Sequence, residues 1–267
     1  MADDPDIVVT EDGRRLRPVQ SVSRAISLLD VLGDQGAPMG VTELATAIRC
    51  SKTATYNLIT TLELRGLVRR DADNRYVLGW RLLELGEMVR VSSTFGEVAR
   101  ARLESLAELA GETAVLGVLD HDTVFCVEMA VSPRSVPIAF TPGHREPLQA
   151  NAAGLVLLAY APPGRRRRYL GVADGDGTAS LAQDLDAIRS TGHAVVGAGT
   201  ELGLVSIAAP VFDYRREIVA GLALIGPAGR FSARRVDELV RVLGDEARAM
   251  SQALGSTGVP PAAASGS

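Results

Sequence analysis

The feature that most restricts the fold of this chain is an ordered set of periodic patterns between residues 19 and 78. Apolar residues first recur at helical spacing until Gly33, and a loop punctuated by glycine and proline follows. Thr42 is the predicted N-cap of a short second helix, and Ser51 is the predicted N-cap of a third helix over residues 52–64. Two short strand patterns, joined by the turn-forming sequence DADN, complete the set at residues 67–70 and 75–78. Helix, short helix, helix and hairpin in this order predict a winged helix-turn-helix.

The third helix is predicted to present a polar face that suits DNA. If Leu58 and Leu62 point inward, the opposite face carries short hydrogen-bonding side chains and almost no acid. Such side chains can contact base edges and phosphates, and arginines on the hairpin would lie beside the adjacent phosphates. The predicted DNA-binding residues are Ser51, Lys52, Thr53, Thr55, Tyr56, Asn57, Thr60, Arg69, Arg70 and Arg75. The alternative is an ordinary three-helix subdomain whose polar face is only solvated.

The charge balance restricts the form of a DNA-binding surface without excluding it. The whole chain has a formal net charge of −4, and residues 18–80 carry seven basic and six acidic side chains. A DNA-binding surface must therefore be a patch made by folding and not a basic domain. Lys52 is the only lysine of the chain.

Composition also excludes several classes of protein. The chain has 267 residues, enough for one large or two ordinary domains, and no apolar run long enough to span a membrane. Its first residues are acidic where a signal peptide would be basic, which favours a cytoplasmic protein without a membrane partner. With 2 cysteines and 3 histidines, neither a disulfide framework nor a multi-histidine metal site is expected, and no cofactor is indicated.

The remainder of the chain predicts an α+β domain. A linking helix over residues 80–91 and a second helix over 95–110 precede strand patterns at 113–119, 124–129, 136–140, 204–212 and 218–225. Helices are predicted at 150–160 and 182–191, and Ser232 is the predicted cap of a final amphipathic helix. This grouping is typical of an antiparallel sheet with helices packed on it. The predicted organisation is a disordered arm (1–17), a winged helix-turn-helix (18–80), the linking helix with the second domain (81–255) and a disordered tail (256–267).

Several segments resemble the IclR family of transcriptional regulators. In the first half they are VQSVSRA at 19–25, LELRGLV at 62–68, RYVLG at 75–79 and RLLELG at 81–86. In the second half they are PLQANAAG at 147–154, GLVSIAAPV at 203–211, and GP at 226–227 with RFS at 230–232. The resemblance implies a GAF-like effector-binding domain after the winged helix. It also implies a homodimer or dimer of dimers on double-stranded operator DNA, more often a repressor than an activator, that responds to a small metabolite, commonly a carboxylate.

Two departures from the family pattern affect function. Asn57 stands where the recognition helix of relatives usually carries an arginine, and asparagine favours adenine over guanine. Carried over by position, the effector pocket would be lined by Ala152, Ala153, Val196, Leu204 and Ser206. The other four residues of that set are apolar, and Ser206 is its clearest donor. An apolar or aromatic effector, or one held by backbone amides, is therefore expected. The alternative is a pocket that no longer binds a ligand.

Other chemistry receives little support from the sequence. The glycines of GAGTELG at 197–203 do not have dinucleotide-fingerprint spacing, and DGDG at 174–177 lacks the distal glutamate of a calcium loop. No nucleophile elbow and no paired general acid and base can be named, so no catalytic residue is predicted. The rival hypothesis is an enzyme or ligand-binding module that uses its N-terminal domain for assembly.

Overall fold

The fold consists of two compact units, which divide the chain at Ser93 and Thr94. The computed structural model describes residues 8–9, 15–92, 96–134, 141–172, 177–197 and 203–256. The first unit contains the linking helix, which is predicted from the sequence to belong with the second domain. Each unit has its own hydrophobic core.

The first unit is a winged helix-turn-helix, as predicted. Its elements are β1 (Val8–Val9), β2 (Arg15–Leu16), α1 (Gln20–Gln35), α2 (Val41–Ala47), α3 (Lys52–Leu64), β3 (Val68–Arg70), β4 (Tyr76–Leu78) and α4 (Trp80–Ser92). Strands β3 and β4 pair antiparallel and form the wing. The core joins the three helices to the wing through Leu28, Leu32, Leu44, Ile59, Leu62, Val68 and Tyr76.

Two local expectations for the first unit, the end of α1 and the cap of α2, were wrong. Helix α1 passes through Gly33 and ends at Gln35, because the left-handed backbone that stops it belongs to Gly36, at φ 59°. Helix α2 begins after Gly40, whose N–H donates to Glu43 Oε2 at 2.6 Å, so Thr42 lies inside the helix and does not cap it. Within the predicted disordered arm, β1 and β2 pair antiparallel.

The second unit is an antiparallel sheet with helices on both faces. Its elements are α5 (Gly96–Ala110), β5 (Thr113–Asp120), β6 (Thr123–Ala130), β7 (Arg145–Pro147), α6 (Ala152–Tyr160), α7 (Pro163–Val172), α8 (Gly177–Thr191), β8 (Ala194–Val196), β9 (Leu204–Phe212), β10 (Ile218–Pro227), a 3-10 turn (Ala228–Arg230) and α9 (Ala233–Ala253). The strand order is β7-β6-β5-β10-β9-β8. The strands β7 and β8 were not predicted. The predicted strand at 136–140 and the predicted tail at 257–267 lie outside the described residues.

The two faces of the sheet pack against different helices. Leu222 and Leu224 of β10 join the core formed with α5 and α9, whereas Ala223 between them joins the core formed with α6 and α8. The first turn of α6 lies very close to the sheet, since a Cβ on Gly221 would come within 3.1 Å of the carbonyl oxygen of Ala153. This close approach places the start of α6 over the middle strands of the sheet.

Candidate DNA-binding surface and effector cavity

The outer face of α3 is the candidate DNA-binding surface. The Ser51 hydroxyl accepts a hydrogen bond from the Ala54 N–H at 3.3 Å and caps the helix, as predicted. Lys52, Thr53 and Asn57 are exposed. The Tyr56 side chain is half-exposed beside them, and none of these four residues is acidic. The start of α3 therefore offers hydroxyl, amide and ammonium groups together with the positive end of a helix.

One threonine predicted for this surface, Thr55, does not lie on it, and a second, Thr60, is half-buried. Thr55 is fully buried, and the hydroxyls of Thr55 and Thr60 are buried with no hydrogen-bond partner among the described residues. Thr55 lies four residues before Ile59, which is followed three residues later by Leu62, so the three share one inward stripe. The prediction assumed that Leu58 points into the core, but Leu58 is only half-buried.

The wing arginines differ in what they contact. Arg70 donates to Glu63, to Asn74 Oδ1 at 2.8 Å and to the Tyr76 hydroxyl at 2.9 Å. Its hydrogen bond with Glu63 raises the pKa of Arg70 above its ordinary value. Arg69 is exposed, and its guanidinium lies 5.1 Å from the centre of the Trp80 ring.

Arg75 is bound to the helical part of the unit. Its Nε donates to the Pro38 carbonyl at 2.9 Å, and its terminal nitrogen lies 2.7 Å from Glu43 Oε2. The Gly40 N–H and then Arg75 lower the pKa of Glu43 below its ordinary value. Of the three predicted wing arginines, Arg69 is therefore the one that is not held by an acidic side chain of the described residues.

Arg49 is an exposed cation that the sequence analysis did not include. It lies in the turn between α2 and α3 with a left-handed backbone, at φ 53°. The sequence signal that could have identified Arg49 is its place as a basic residue in the turn directly before the recognition helix. Its position brings a positive charge next to the exposed start of α3.

The second unit contains a small buried cavity of about 10 Å³, room for about one water molecule. It lies between the start of α6 and the sheet, and five strands contribute to its walls. Its lining residues are Val115, Val124, Cys126, Glu146, Asn151, Ala153, Ser206, Ala223 and Ile225. An apolar wall with a few convergent polar groups is typical of a ligand site.

Two of the five predicted effector-binding residues, Ala153 and Ser206, line this cavity. Ala152 is buried beside it, and its N–H donates to Ser206 Oγ at 3.0 Å. Val196 pairs with Ser206 across the sheet, and Leu204 lies two residues before it on β9, but neither lines the cavity. The predicted set therefore includes two of the nine residues that line this cavity.

The main polar residues that the prediction missed are Glu146 and Asn151. Asn151 caps α6, since its Oδ1 accepts from the Gly154 N–H at 2.9 Å. The Asn151 side-chain amide also donates to Glu146 Oε2 at 2.6 Å. Asparagine directly before an apolar helix is a cap signal that the sequence offered, whereas the position of Glu146 depends on the pairing of β6 with β7.

The cavity cysteine is not set up for thiolate chemistry. Burial, and then the nearby Glu128, raise the pKa of the Cys126 thiol to about 11. A thiol with so high a pKa stays protonated at neutral pH and is a weak nucleophile. Cys126 therefore contributes to the apolar wall.

A larger, open groove of about 600 Å³ lies elsewhere in the second unit, between the end of α8 and α9. It is lined by polar and charged residues such as Arg189, Arg241 and Arg248, and by none of the predicted effector-binding residues. The small cavity is the better candidate because it encloses buried polar groups within an apolar wall.

Two arginines of the run at 165–168 form ion pairs within the second unit. Arg166 forms an ion pair with Asp186 at 2.7 Å, and Arg168 lies 3.8 Å from Asp122.

In the described part of the chain, no helix has the length and apolarity to cross a bilayer. Among the same residues, no cluster of potential ligands could hold a metal ion.

A winged helix-turn-helix followed by a sheet domain with a buried cavity defines the class of ligand-responsive DNA-binding regulators. Comparison with known proteins identifies the family within this class. The family model for the IclR helix-turn-helix domain matches residues 21–72, and that for the bacterial transcriptional regulator IclR C-terminal domain matches residues 91–252. The chain belongs to the IclR family of transcriptional regulators, with a helix-turn-helix domain and an effector-binding domain.

Individual relatives agree with this assignment. The transcriptional regulator KdgR of Escherichia coli (strain K12) is 30% identical over an alignment of 246 residues that covers 89% of this chain and 93% of KdgR. A solved structure of a transcriptional regulator from Rhodococcus sp. RHA1 has a TM-score of 0.77 and 27% identity, covering 89% of this chain and 98% of that one. An IclR homologue from Microbacterium hydrocarbonoxydans, solved with 4-hydroxybenzoate, shares the fold at a TM-score of 0.75 and 21% identity, covering 88% of this chain and 99% of that one.

Proposed function

We propose that this chain is a homodimeric, cytoplasmic repressor that binds operator DNA through α3 and releases it when a small effector enters the cavity beside Ser206. The observation that carries the proposal is the acid-free, exposed start of α3 in a winged helix-turn-helix. Lys52, Thr53, Tyr56 and Asn57 would contact bases and phosphates, and Arg69 would contact the flanking backbone.

Dimerisation is supported by exposed apolar side chains on α1 and α4. Val22 and Ile26 of α1 are each more than half exposed, as are Leu83 and Met88 of α4. Single surface apolar residues are common, but groups of them on two helices of one small domain mark an interaction surface. A second copy is the expected occupant because one recognition helix spans only a few base pairs, and two half-sites are needed for useful affinity.

The effector site is supported by the polar groups that converge on the small cavity. Ligand entry must widen a cavity of about 10 Å³, so binding favours a conformation different from the closed one. An effector changes operator affinity only through such a difference between two conformations. Coupling of about 1–3 kcal/mol corresponds to a 5- to 150-fold change in DNA affinity.

The DNA-binding part of the proposal is tested by gel shift with DNA from upstream of the chain's own gene, at moderate salt. Sequence-specific binding, together with higher expression of a reporter gene when the regulator is deleted, would support a repressor. Binding that is equal on unrelated DNA and disappears with salt would contradict it. Lower reporter expression after deletion would indicate an activator.

The effector part is tested with two cavity variants. Ser206→Leu fills the cavity but leaves the buried N–H of Ala152 without its acceptor, so Ala223→Val is the milder partner that adds volume and keeps that hydrogen bond. Both variants should bind the operator as the unmodified chain does and lose the response to effector. Loss of operator binding in a folded Ala223→Val protein, or an unchanged response in both variants, would contradict the proposed site.

A further inference from the structure

The effector cavity has one charged lining residue, and that residue is an acid. Glu146 contributes a carboxylate, Asn151 and Ser206 contribute neutral polar groups, and the other lining residues are apolar. No lysine, arginine or histidine belongs to the described lining. His144 lies close to this acid, with Nε2 at 3.7 Å from Glu146 Oε1, but it is outside the lining.

The Glu146 carboxylate lies beside the N-cap residue of α6. Its Oε2 accepts from the Asn151 amide at 2.6 Å, and Asn151 is the N-cap of α6. The beginning of a helix attracts anions because its first N–H groups and its dipole present positive charge. In this chain the positive end of α6 already has a carboxylate of the protein beside it.

The polar groups left for a ligand are an acceptor and a donor. The Glu146 side chain is about one-quarter exposed, so its carboxylate can accept further hydrogen bonds from a bound molecule. The Ser206 oxygen accepts from the Ala152 N–H at 3.0 Å, which leaves the hydroxyl hydrogen to donate. The remaining wall, including Val115 and Ile225, suits an apolar body.

We infer that the effector of this chain carries no carboxylate. It is a small, largely apolar molecule, uncharged or cationic, whose hydroxyl or amine group donates to Glu146 and whose acceptor group faces Ser206. A carboxylate ligand would bring a second negative charge next to Glu146 in a largely apolar cavity with no lining cation to offset it, and like charges at such short range repel. The inference rests on the proposed effector function and specifies its ligand class.

Two probes of the same shape test the inference: 4-hydroxybenzoate, which is an anion, and 4-hydroxybenzamide, which is neutral. Calorimetric titration of the full-length protein should show at least about tenfold tighter binding of the amide. Tyramine, a phenol with an ammonium group, then distinguishes a cationic from a neutral ligand preference. Glu146→Gln should remove the discrimination by improving binding of the benzoate about tenfold.

The matched control is Glu128→Gln, which removes an acid from β6 outside the cavity lining and should leave the preference unchanged. Tighter binding of the benzoate than of the amide by the unmodified chain would overturn the inference, and this comparison does not depend on the folding of any variant. Unchanged discrimination in a folded Glu146→Gln protein would also overturn it. If neither uncharged, cationic nor anionic probe binds to protein that still binds its operator, the proposed effector site fails, and the inference fails with it.

Discussion

The guanidinium of Arg75 on the wing lies 2.7 Å from the Glu43 carboxylate, which also accepts the N–H of Gly40 at 2.6 Å. One carboxylate thus joins the start of α2 to the wing, and the Arg75 hydrogen bond to the Pro38 carbonyl extends this contact to the loop after α1. Arg75 therefore fixes the position of the wing relative to the helices. A phosphate contact by the same side chain would have to compete with these bonds.

We expect Arg75→Ala to lower the melting temperature of the first unit more than Arg69→Ala does, because Arg69 has no acidic partner among the described residues. Since the pKa of Glu43 is lowered in the folded state, the stability it contributes is present at neutral pH. That contribution is lost as the pH falls through the lowered value. Thermal unfolding at several pH values should therefore show the deficit of Arg75→Ala shrinking in acid, and a constant deficit would contradict this assignment.

Arg69→Ala should weaken binding to all DNA sequences alike and lower the slope of log affinity against log salt by about one. The reason is that an exposed wing cation meets phosphate and not base edges. The fluorescence of Trp80 should also change when DNA binds, since Arg69 would leave the ring from which it is now 5.1 Å away. An unchanged salt slope in Arg69→Ala would show that the wing does not contact the backbone through this residue.

Asn57→Ala should cost about 1–3 kcal/mol of binding energy and relax the preference at one base pair, because asparagine pairs with adenine through two hydrogen bonds. Thr55→Val is the matched control from the same helix. It should leave DNA binding unchanged and keep or raise stability, since it replaces a buried hydroxyl that lacks a partner among the described residues. Binding assays on operator variants, with melting curves for both proteins, check the pair. Weaker DNA binding by Thr55→Val would contradict the assigned orientation of α3.

The sequence predicted α3 well because its signals are local. Ser51 caps the helix, and the bounds Lys52–Leu64 agree with the prediction. The orientation of the helix was less certain because Leu58, Ile59 and Leu62 allow two inward stripes, and only packing against the other helices selects the one that includes Thr55. Local signals also could not show that the left-handed stop of α1 is Gly36 and not Gly33.

The lining of the candidate effector cavity was predicted only in part because its walls come from distant parts of the chain. Ser206 and Ala153 were located through family motifs, but Val115, Glu146 and Ile225 meet them only after five strands have paired. Periodicity indicates which residues of a strand share a face and not which strands become neighbours.

A double variant, Val22→Glu with Ile26→Glu, should shift the chain towards monomer, because both side chains are exposed on one stripe of α1. Light scattering at micromolar concentration measures the mass, and gel shift should show weaker operator binding as the dimer is lost. Tyr214→Glu changes an exposed aromatic residue of the second unit and serves as the control. A dimer that persists in the double variant would place the interface elsewhere.

Arg230→Ala should destabilise the second unit by about 3 kcal/mol, the low end for breaking a buried ion pair, because the Arg230 side chain is itself partly exposed. Arg230 Nε lies 2.8 Å from Glu112 Oε1, and the Glu112 side chain is only 3% exposed. Burial holds the pKa of Glu112 above its ordinary value, and loss of Arg230 would raise it further. The deficit should therefore grow as the pH rises and Glu112 must ionise.

Denaturant unfolding as a function of pH measures this effect. Arg234→Ala is the control. The Arg234 side chain is 91% exposed, and its ion pair with Glu238 lies on the surface. Equal losses in the two variants would show that Glu112 does not depend on Arg230.

Lys52 is the only lysine in the chain, and it lies exposed at the first residue of the recognition helix. Its ε-amino group is therefore the one side-chain primary amine available to an acylating reagent. Lysine acylation of this chain is therefore directed to the proposed DNA-binding surface without any substitution elsewhere, and bound operator would shield the same nitrogen. The rate of lysine acylation in the presence and absence of DNA, followed on the peptide that contains Lys52, thus gives a chemical footprint of one side-chain nitrogen on that surface.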